Sequence, residues 1–131
     1  MRQIRFDDIA SLREHVGDEF GPWGPEVEVT QALINRFADL THDHQWIHVD
    51  VERARKGPFG APVAHGFLTL TLSAKYQPPL PFEVIGESSR VNYGCTSYRF
   101  LDPVPAGSKL RARMRLMEVR EHPVLDRKSV V

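Results

Sequence analysis

The 131-residue sequence contains only one cysteine, Cys95, so no disulfide can form within the chain. This composition is typical of a reducing compartment and excludes a metal cage made of thiolates alone. Net charge is absent too, because 17 Lys and Arg residues balance 17 Asp and Glu residues. The chain thus lacks the basic excess that indicates nucleic-acid or membrane-surface binding, and a small ligand or a protein partner is expected.

Long apolar runs are missing as well. No stretch reaches the roughly 20 apolar residues of a membrane helix, and Arg2, Arg5, Asp7 and Asp8 stand where a signal peptide has its apolar core. We therefore expect a cytoplasmic protein. With 41% hydrophobic residues the chain has enough apolar material for a packed core, and its length predicts a single domain over residues 1–131.

Hydrophobic spacing predicts mainly helices in the first half of the chain. Residues 5–19 fit an opening helix, residues 26–29 alternate like a strand, and Thr30 is positioned to cap a second helix. The apolar face of that second helix comprises Leu33, Ile34, Phe37 and Leu40. After a Gly/Pro loop at residues 57–62, residues 64–77 predict a buried helix of about fourteen residues that ends before a Pro-Pro pair.

The second half changes to strand-like patterns. Residues 90–100 are rich in Tyr, Val, Thr and Phe, and residues 110–116 alternate apolar side chains with arginines. Cys95 falls inside the first of these predicted strands, where a small core side chain is expected rather than a nucleophile. Helices followed by antiparallel strands predict an α+β fold with a helix against a sheet.

The most unusual segment is residues 41–50, which hold three histidines and two aspartates. Asp43 and His48 are five positions apart, and a compact turn would bring their side chains together. A carboxylate and an imidazole, with ordinary pKa values of about 4 and about 6.5, can hold one water, take its proton and return a proton elsewhere. Such a pair suits hydration, dehydration or hydrolysis. The alternative is structural: Asp43 caps a turn and His48 packs beside Trp46.

A second candidate element is the start of the helix predicted at residues 64–77. Free N–H groups at a helix N-terminus stabilise a carbonyl oxygen that gains negative charge, and Gly66 leaves its amide sterically open. Together with Asp43 and His48, this start forms a coherent site for making an enolate. The alternative is that Gly66 only permits close helix packing.

Two other kinds of site have weaker support. A metal centre has N and O ligands available, but their spacing matches no recognised signature. These ligands are His42, Asp43, His44, His48 and Asp50. A serine hydrolase is unsupported because Ser73 and Ser88 lack a G-x-S-x-G elbow.

The chain resembles the MaoC-like dehydratases, the hotdog-fold (R)-specific enoyl-CoA hydratases, and especially their nodulation-protein-N-like branch. The matching segments are residues 37–50 (FADLTHDHQWIHVD), 57–60 (GPFG), 64–70 (AHGFLTL), 92–94 (NYG) and 104–108 (VPAGS). The resemblance covers about residues 5–120. Its most specific part is the Asp-x4-His element joined to the Ala-His-Gly helix start.

The resemblance implies an α+β hotdog fold, in which an antiparallel sheet wraps around a long central helix. It also implies a homodimer with acyl-thioester sites near the subunit interface. Family members usually continue through two further strands after the one that ends near Val119, so we expect the C-terminal strands to be incomplete. His42 stands where the commoner family pattern has glycine.

The implied reaction is the reversible addition of water across a trans-2-enoyl thioester. Asp43, His48 and Gly66 match the catalytic positions. Asp43 takes the proton from water, His48 protonates Cα, and the Gly66 amide binds the thioester oxygen; exchanging the first two roles is equally compatible with the sequence. The implied substrate-binding residues are Gln45, His65, Phe67 and Tyr93.

The implied substrate is an acyl-CoA or acyl carrier protein thioester of fatty-acid metabolism. No metal or redox cofactor is required, and neither nucleic acid nor a membrane is a partner. Because a fold does not fix its chemistry, two alternatives stay open. One is a catalytically silent module that binds acyl thioesters or only dimerises, and the other is an acyl-CoA thioesterase.

Overall fold

The computed structural model describes residues 1–122 and 127–130. In chain order the elements are β1 (Arg2–Arg5), α1 (Ile9–Arg13), β2 (Val27–Val29), α2 (Gln31–Thr41), α3 (Trp46–Val49), α4 (Val51–Arg55), α5 (Gly66–Thr71), α6 (Ser73–Tyr76), β3 (Phe82–Ile85), β4 (Ser108–Leu110), β5 (Val119–His122) and β6 (Arg127–Val130). The backbone clusters into two compact units. The first unit contains residues 1–24, 78–94 and the described residues from 113 onward, and the second unit contains residues 25–77 and 95–112.

The second unit packs helices against the antiparallel pair β2–β4. The Thr30 hydroxyl accepts the Leu33 amide at 3.1 Å and so starts α2, which confirms the predicted cap. The core is formed by Val27, Val29, Ile34, Ala64, Leu68, Leu72 and Tyr76. Leu40, expected on the buried face of α2, is 77% exposed. The buried positions on that helix are Ile34 and Ala38.

The helix predicted at residues 64–77 is confirmed as helix rather than strand, but it is interrupted. It starts at Gly66, and a turn at Leu72 separates α5 from α6. Hydroxyl groups take carbonyls that the helix ladder would use: Thr69 donates to the Gly66 carbonyl and Tyr76 donates to the Thr69 carbonyl. Gln77 then ends α6 in a left-handed conformation at φ 36°.

The first unit is built around the parallel pair β1–β3, in which Ile4 lies opposite Val84. Its core comprises Ile4, Leu12, Phe82, Leu116 and Val119. The predicted helix over residues 5–19 is shorter than expected: residues 2–5 form a strand, and the Asp8 carboxylate caps α1 by accepting the Ser11 amide. At the C-terminal side, β5 pairs with β6 in antiparallel register.

Two predicted strands differ in the structure. Residues 90–100 form no strand, and Val91, Tyr93 and Cys95 are exposed, so the expectation that Cys95 fills a core is wrong. The strand predicted over residues 110–116 stops at Leu110.

Non-local contacts explain the early end of that strand. The Met114 carbonyl accepts the Gly21 amide at 2.9 Å. The Arg113 guanidinium stacks on Phe20 and Trp23, at 4.8 and 4.7 Å from their ring centroids. These contacts with the segment before β2 give residues 113–114 hydrogen-bond and cation–π partners in place of a strand ladder.

The mixture of helices and strands confirms the α+β class. Among the described residues the strands form three open pairs, and β1–β3 is parallel rather than antiparallel. None of the helices in the described ranges is long and apolar enough to cross a membrane. The single-domain expectation stays a prediction.

Candidate active site

His48 lies on the one-turn helix α3 in the second unit and is 93% buried. Its ring atom Nδ1 is 2.6 Å from the Val63 carbonyl oxygen. A carbonyl only accepts hydrogen bonds, so Nδ1 carries the proton and the neutral ring keeps a lone pair on Nε2. The Gln31 side chain donates to the backbone carbonyl of His48 at 2.8 Å and ties α3 to the start of α2.

Asp43 lies on the loop that joins α2 to α3. His42 ends α2 in the left-handed conformation, with φ 59°, and turns the chain toward this loop. The Asp43 Oδ1 atom lies 3.4 Å from the Gln45 amide, which is long for a hydrogen bond. The carboxylate is exposed to solvent, and the turn therefore holds it only weakly.

His65 connects these two residues. It is 4% exposed, and its Nε2–H donates to the backbone carbonyl of Asp43 at 2.9 Å. Its ring stacks on His48 with a centroid separation of 3.8 Å and an interplanar angle of 22°. Its Nδ1 atom is enclosed and has no hydrogen-bond partner.

One polar side-chain atom each of Asp43, His48 and His65 lies within 4.8 Å of the others. The structure thus brings together the carboxylate and the imidazole that the sequence places five residues apart. A carboxylate open to solvent beside a buried imidazole with a free lone pair can hold a water molecule and exchange protons with it. The catalytic roles of these residues remain predictions.

This arrangement suits a single metal ion poorly. A ligating imidazole holds its metal close to the ring plane, at about 2.0–2.1 Å. Because the His48 and His65 rings are nearly parallel and 3.8 Å apart, no single point lies close to both planes within that bond length.

The other residues considered as metal ligands are engaged elsewhere or face solvent. His44 Nε2 lies 2.8 Å from the Asp39 carboxylate, and Asp50 caps α4 by accepting the Arg53 amide. His42 is exposed where it ends α2. These three residues therefore do not join a metal centre with Asp43 and His48.

Gly66 is the first residue of α5, as predicted. A Cβ built on it would stand 2.6 Å from two carbons of the Phe100 ring, so a larger residue at this position would displace the ring. The Gly66 amide donates to no protein acceptor in the part of the chain that the structure describes. Close packing and an available amide, which the sequence left as alternatives, thus occur at the same residue.

A groove of about 380 Å³ runs beside α5 within the second unit. Its walls include Leu70, Tyr76, Tyr98, Phe100, Val104 and Leu110. Phe67 packs edge-on against Tyr98 and Phe100, with 6.0 Å between ring centroids in both cases. Burial raises the pKa of the Tyr76 hydroxyl above its ordinary value of 10.0.

The four predicted substrate-binding residues have different environments. Gln45 is exposed beside Asp43, and Phe67 is 59% exposed on α5. His65 is buried behind the Asp43 loop rather than open to a ligand. Tyr93 belongs to the first unit, where it is 81% exposed.

Sequence reasoning missed three residues that shape the site. Val63 supplies the carbonyl that fixes the His48 tautomer, Gln31 holds the backbone of His48, and Phe100 covers Gly66. Val63 and Phe100 act through tertiary contacts that leave no local pattern. For Gln31, its place in the first turn of a capped helix was the only available signal.

Comparisons with known proteins show the family of this chain. The family model described as "MaoC like domain" matches residues 19–130. The 3-hydroxyacyl-thioester dehydratase Z of Mycobacterium tuberculosis (strain ATCC 25618 / H37Rv) is 45% identical over 118 residues, covering 88% of this chain and 76% of that protein. Nodulation protein N of Rhizobium meliloti (strain 1021) is 42% identical over 127 residues, covering 92% of this chain and 73% of that protein.

Among solved structures, the (R)-hydratase from A. caviae involved in PHA biosynthesis is similar to this chain. It has a TM-score of 0.60 and 27% sequence identity, and the match covers 80% of this chain and 76% of that chain. The likeness confirms the hotdog fold that the sequence resemblance implied. The chain belongs to the MaoC-like domain family.

Proposed function

We propose that this protein is a hydro-lyase that adds water reversibly across a trans-2-enoyl thioester to give the (R)-3-hydroxyacyl thioester. The observation that carries the proposal is the convergence of Asp43 and His48, with the His48 tautomer fixed by the Val63 carbonyl. The names of the relatives support it, since one is a 3-hydroxyacyl-thioester dehydratase and one is an (R)-hydratase.

The two residues share one mobile proton in the proposed mechanism. In hydration, the Asp43 carboxylate takes a proton from water as the hydroxyl adds to Cβ, and protonated His48 delivers its Nε2 proton to Cα. In dehydration, neutral His48 removes the Cα proton and protonated Asp43 gives its proton to the departing hydroxyl. His48 Nδ1–H stays on Val63 throughout, so the ring keeps its orientation in both directions.

The thioester carbonyl gains negative charge when Cα carries the carbanion. The Gly66 amide is the donor we assign to that oxygen, because it has no protein acceptor within the described ranges. The apolar groove beside α5, with Phe67 at its aromatic edge, suits an acyl chain. Gln45, exposed next to Asp43, and Tyr93 are further candidates for contact with the thioester. No metal or redox cofactor enters these steps.

The substrate in this proposal is a CoA or acyl carrier protein thioester, and the assembly is a cytoplasmic homodimer. Exposed large apolar side chains support an interface with a second copy. They are Val91 and Tyr93 in the first unit and Tyr98, Phe100 and Leu101 in the second unit. Light scattering of the purified protein is expected to give twice the mass of one chain, and a monomer at micromolar concentration would contradict this assembly.

The test of the activity uses crotonyl-CoA and two readouts. Hydration removes the enoyl absorbance without releasing thiol, and chiral analysis of the product is expected to show (R)-3-hydroxybutyryl-CoA. Release of CoA thiol would identify a thioesterase instead. Binding without either change would identify a silent acyl-thioester module.

A further inference from the structure

We infer that His65 is a positioning residue that holds Asp43 and His48 in one productive geometry, an inference that rests on the proposed function. The two contacts that carry it are the 2.9 Å hydrogen bond from Nε2 to the Asp43 carbonyl and the 3.8 Å stack on the His48 ring. Both members of the Asp/His pair are therefore touched by the same buried side chain.

His65 is poorly placed to bind substrate itself. The residue is 96% buried, Nε2 is committed to the backbone of Asp43, and Nδ1 is enclosed. The Phe37 ring covers it edge-on, with 5.0 Å between centroids. His65 therefore acts on the reaction through its contacts with other protein groups.

Substitutions at His65 separate its two contacts. In His65→Gln the side-chain amide can still donate to the Asp43 carbonyl, whereas His65→Ala loses both the donor and the stack. Small displacements of reacting groups cost up to about 100-fold in rate, so we expect His65→Ala to lower kcat for crotonyl-CoA hydration by roughly 30- to 100-fold, with KM within about 3-fold. We expect His65→Gln to recover to within about 10-fold of wild-type kcat.

His44→Ala is the matched control, because His44 is exposed and its side chain contacts Asp39, outside the Asp43–His48–His65 cluster. Its kcat is expected to stay within about 2-fold of wild type. An unchanged kcat in His65→Ala, or a rise in KM alone, would overturn the positioning role. If His65→Ala fails to fold, His65→Gln decides: a kcat lowered by about 3- to 10-fold at unchanged KM supports the role, and a wild-type kcat would overturn it.

A second readout does not depend on activity. Nitrogen-15 NMR of the imidazoles in the wild-type protein is expected to show His48 as the Nδ1–H tautomer and His65 as the Nε2–H tautomer. In His65→Gln, the His48 ring signals are expected to shift because the stacked ring is gone. A protonated His65 Nδ1 would contradict the inference even in an active enzyme. An inactive wild-type protein with both tautomers as expected would instead contradict the proposed function.

Discussion

The ring of Phe100 lies against Gly66 so closely that a Cβ on residue 66 would come within 2.6 Å of it. This contact fixes the start of α5, where the proposed oxyanion donor lies. It also joins residue 66 to the aromatic edge of the groove, since Phe100 is one of the groove's walls.

Gly66→Ala is therefore expected to destabilise the fold. Forcing an extra carbon into a packed contact costs about 1–3 kcal/mol, and urea unfolding measures the loss. Phe100→Ala removes the ring that the new methyl would strike. The double variant should then be more stable than the sum of the two single changes predicts. Strictly additive losses would show that the ring does not restrict residue 66.

A glycine substitution is expected to be better tolerated at His42 than at His44. A non-glycine residue at positive φ is strained, and His42 has φ 59° at the end of α2. His42→Gly should raise the free energy of unfolding by up to about 1 kcal/mol. His44→Gly, at a position with ordinary backbone angles, should lower it. Equal effects of the two substitutions would argue against strain at His42.

Tyr76→Phe is expected to remove about 1 kcal/mol of stability at neutral pH, because the hydroxyl donates to the Thr69 carbonyl at 2.9 Å. The raised pKa of Tyr76 sets a pH dependence as well. The unfolded chain loses this proton near pH 10, while the folded chain keeps it. The contribution of Tyr76 to the free energy of unfolding therefore falls as the pH rises toward the folded pKa.

The stability difference between wild type and Tyr76→Phe should therefore narrow in alkaline solution. Thermal unfolding of both proteins at neutral and alkaline pH measures it. Tyr98→Phe is the control, because Tyr98 is 46% exposed. A difference that widens with pH would contradict the burial of the Tyr76 hydroxyl.

Features that depend on neighbours in sequence could be predicted. The Thr30 cap, the strand at residues 26–29 and the Asp43–His48 pair all use contacts across a few positions. For the same reason, the helical nature of residues 66–76 followed from their length and the Pro-Pro pair after them.

Features that depend on distant residues could not be predicted. Residues 111–115 alternate like a strand, but Arg113 stacks on Phe20 and Trp23, about 90 positions away in the sequence. The sequence position of His65 predicts a substrate contact. Only the fold shows that its ring is enclosed between Phe37 and His48.

The most direct test of the account compares crotonyl-CoA hydration by wild type, Asp43→Asn, His48→Gln and the exposed control His44→Gln. Loss of a general acid or base costs about 10²- to 10⁴-fold, so the first two variants should lose at least about 100-fold in kcat while each still unfolds cooperatively on heating. His44→Gln should hydrate at the wild-type rate. Near-wild-type turnover by folded Asp43→Asn and His48→Gln would contradict the central claim that these two side chains carry the proton in the reaction.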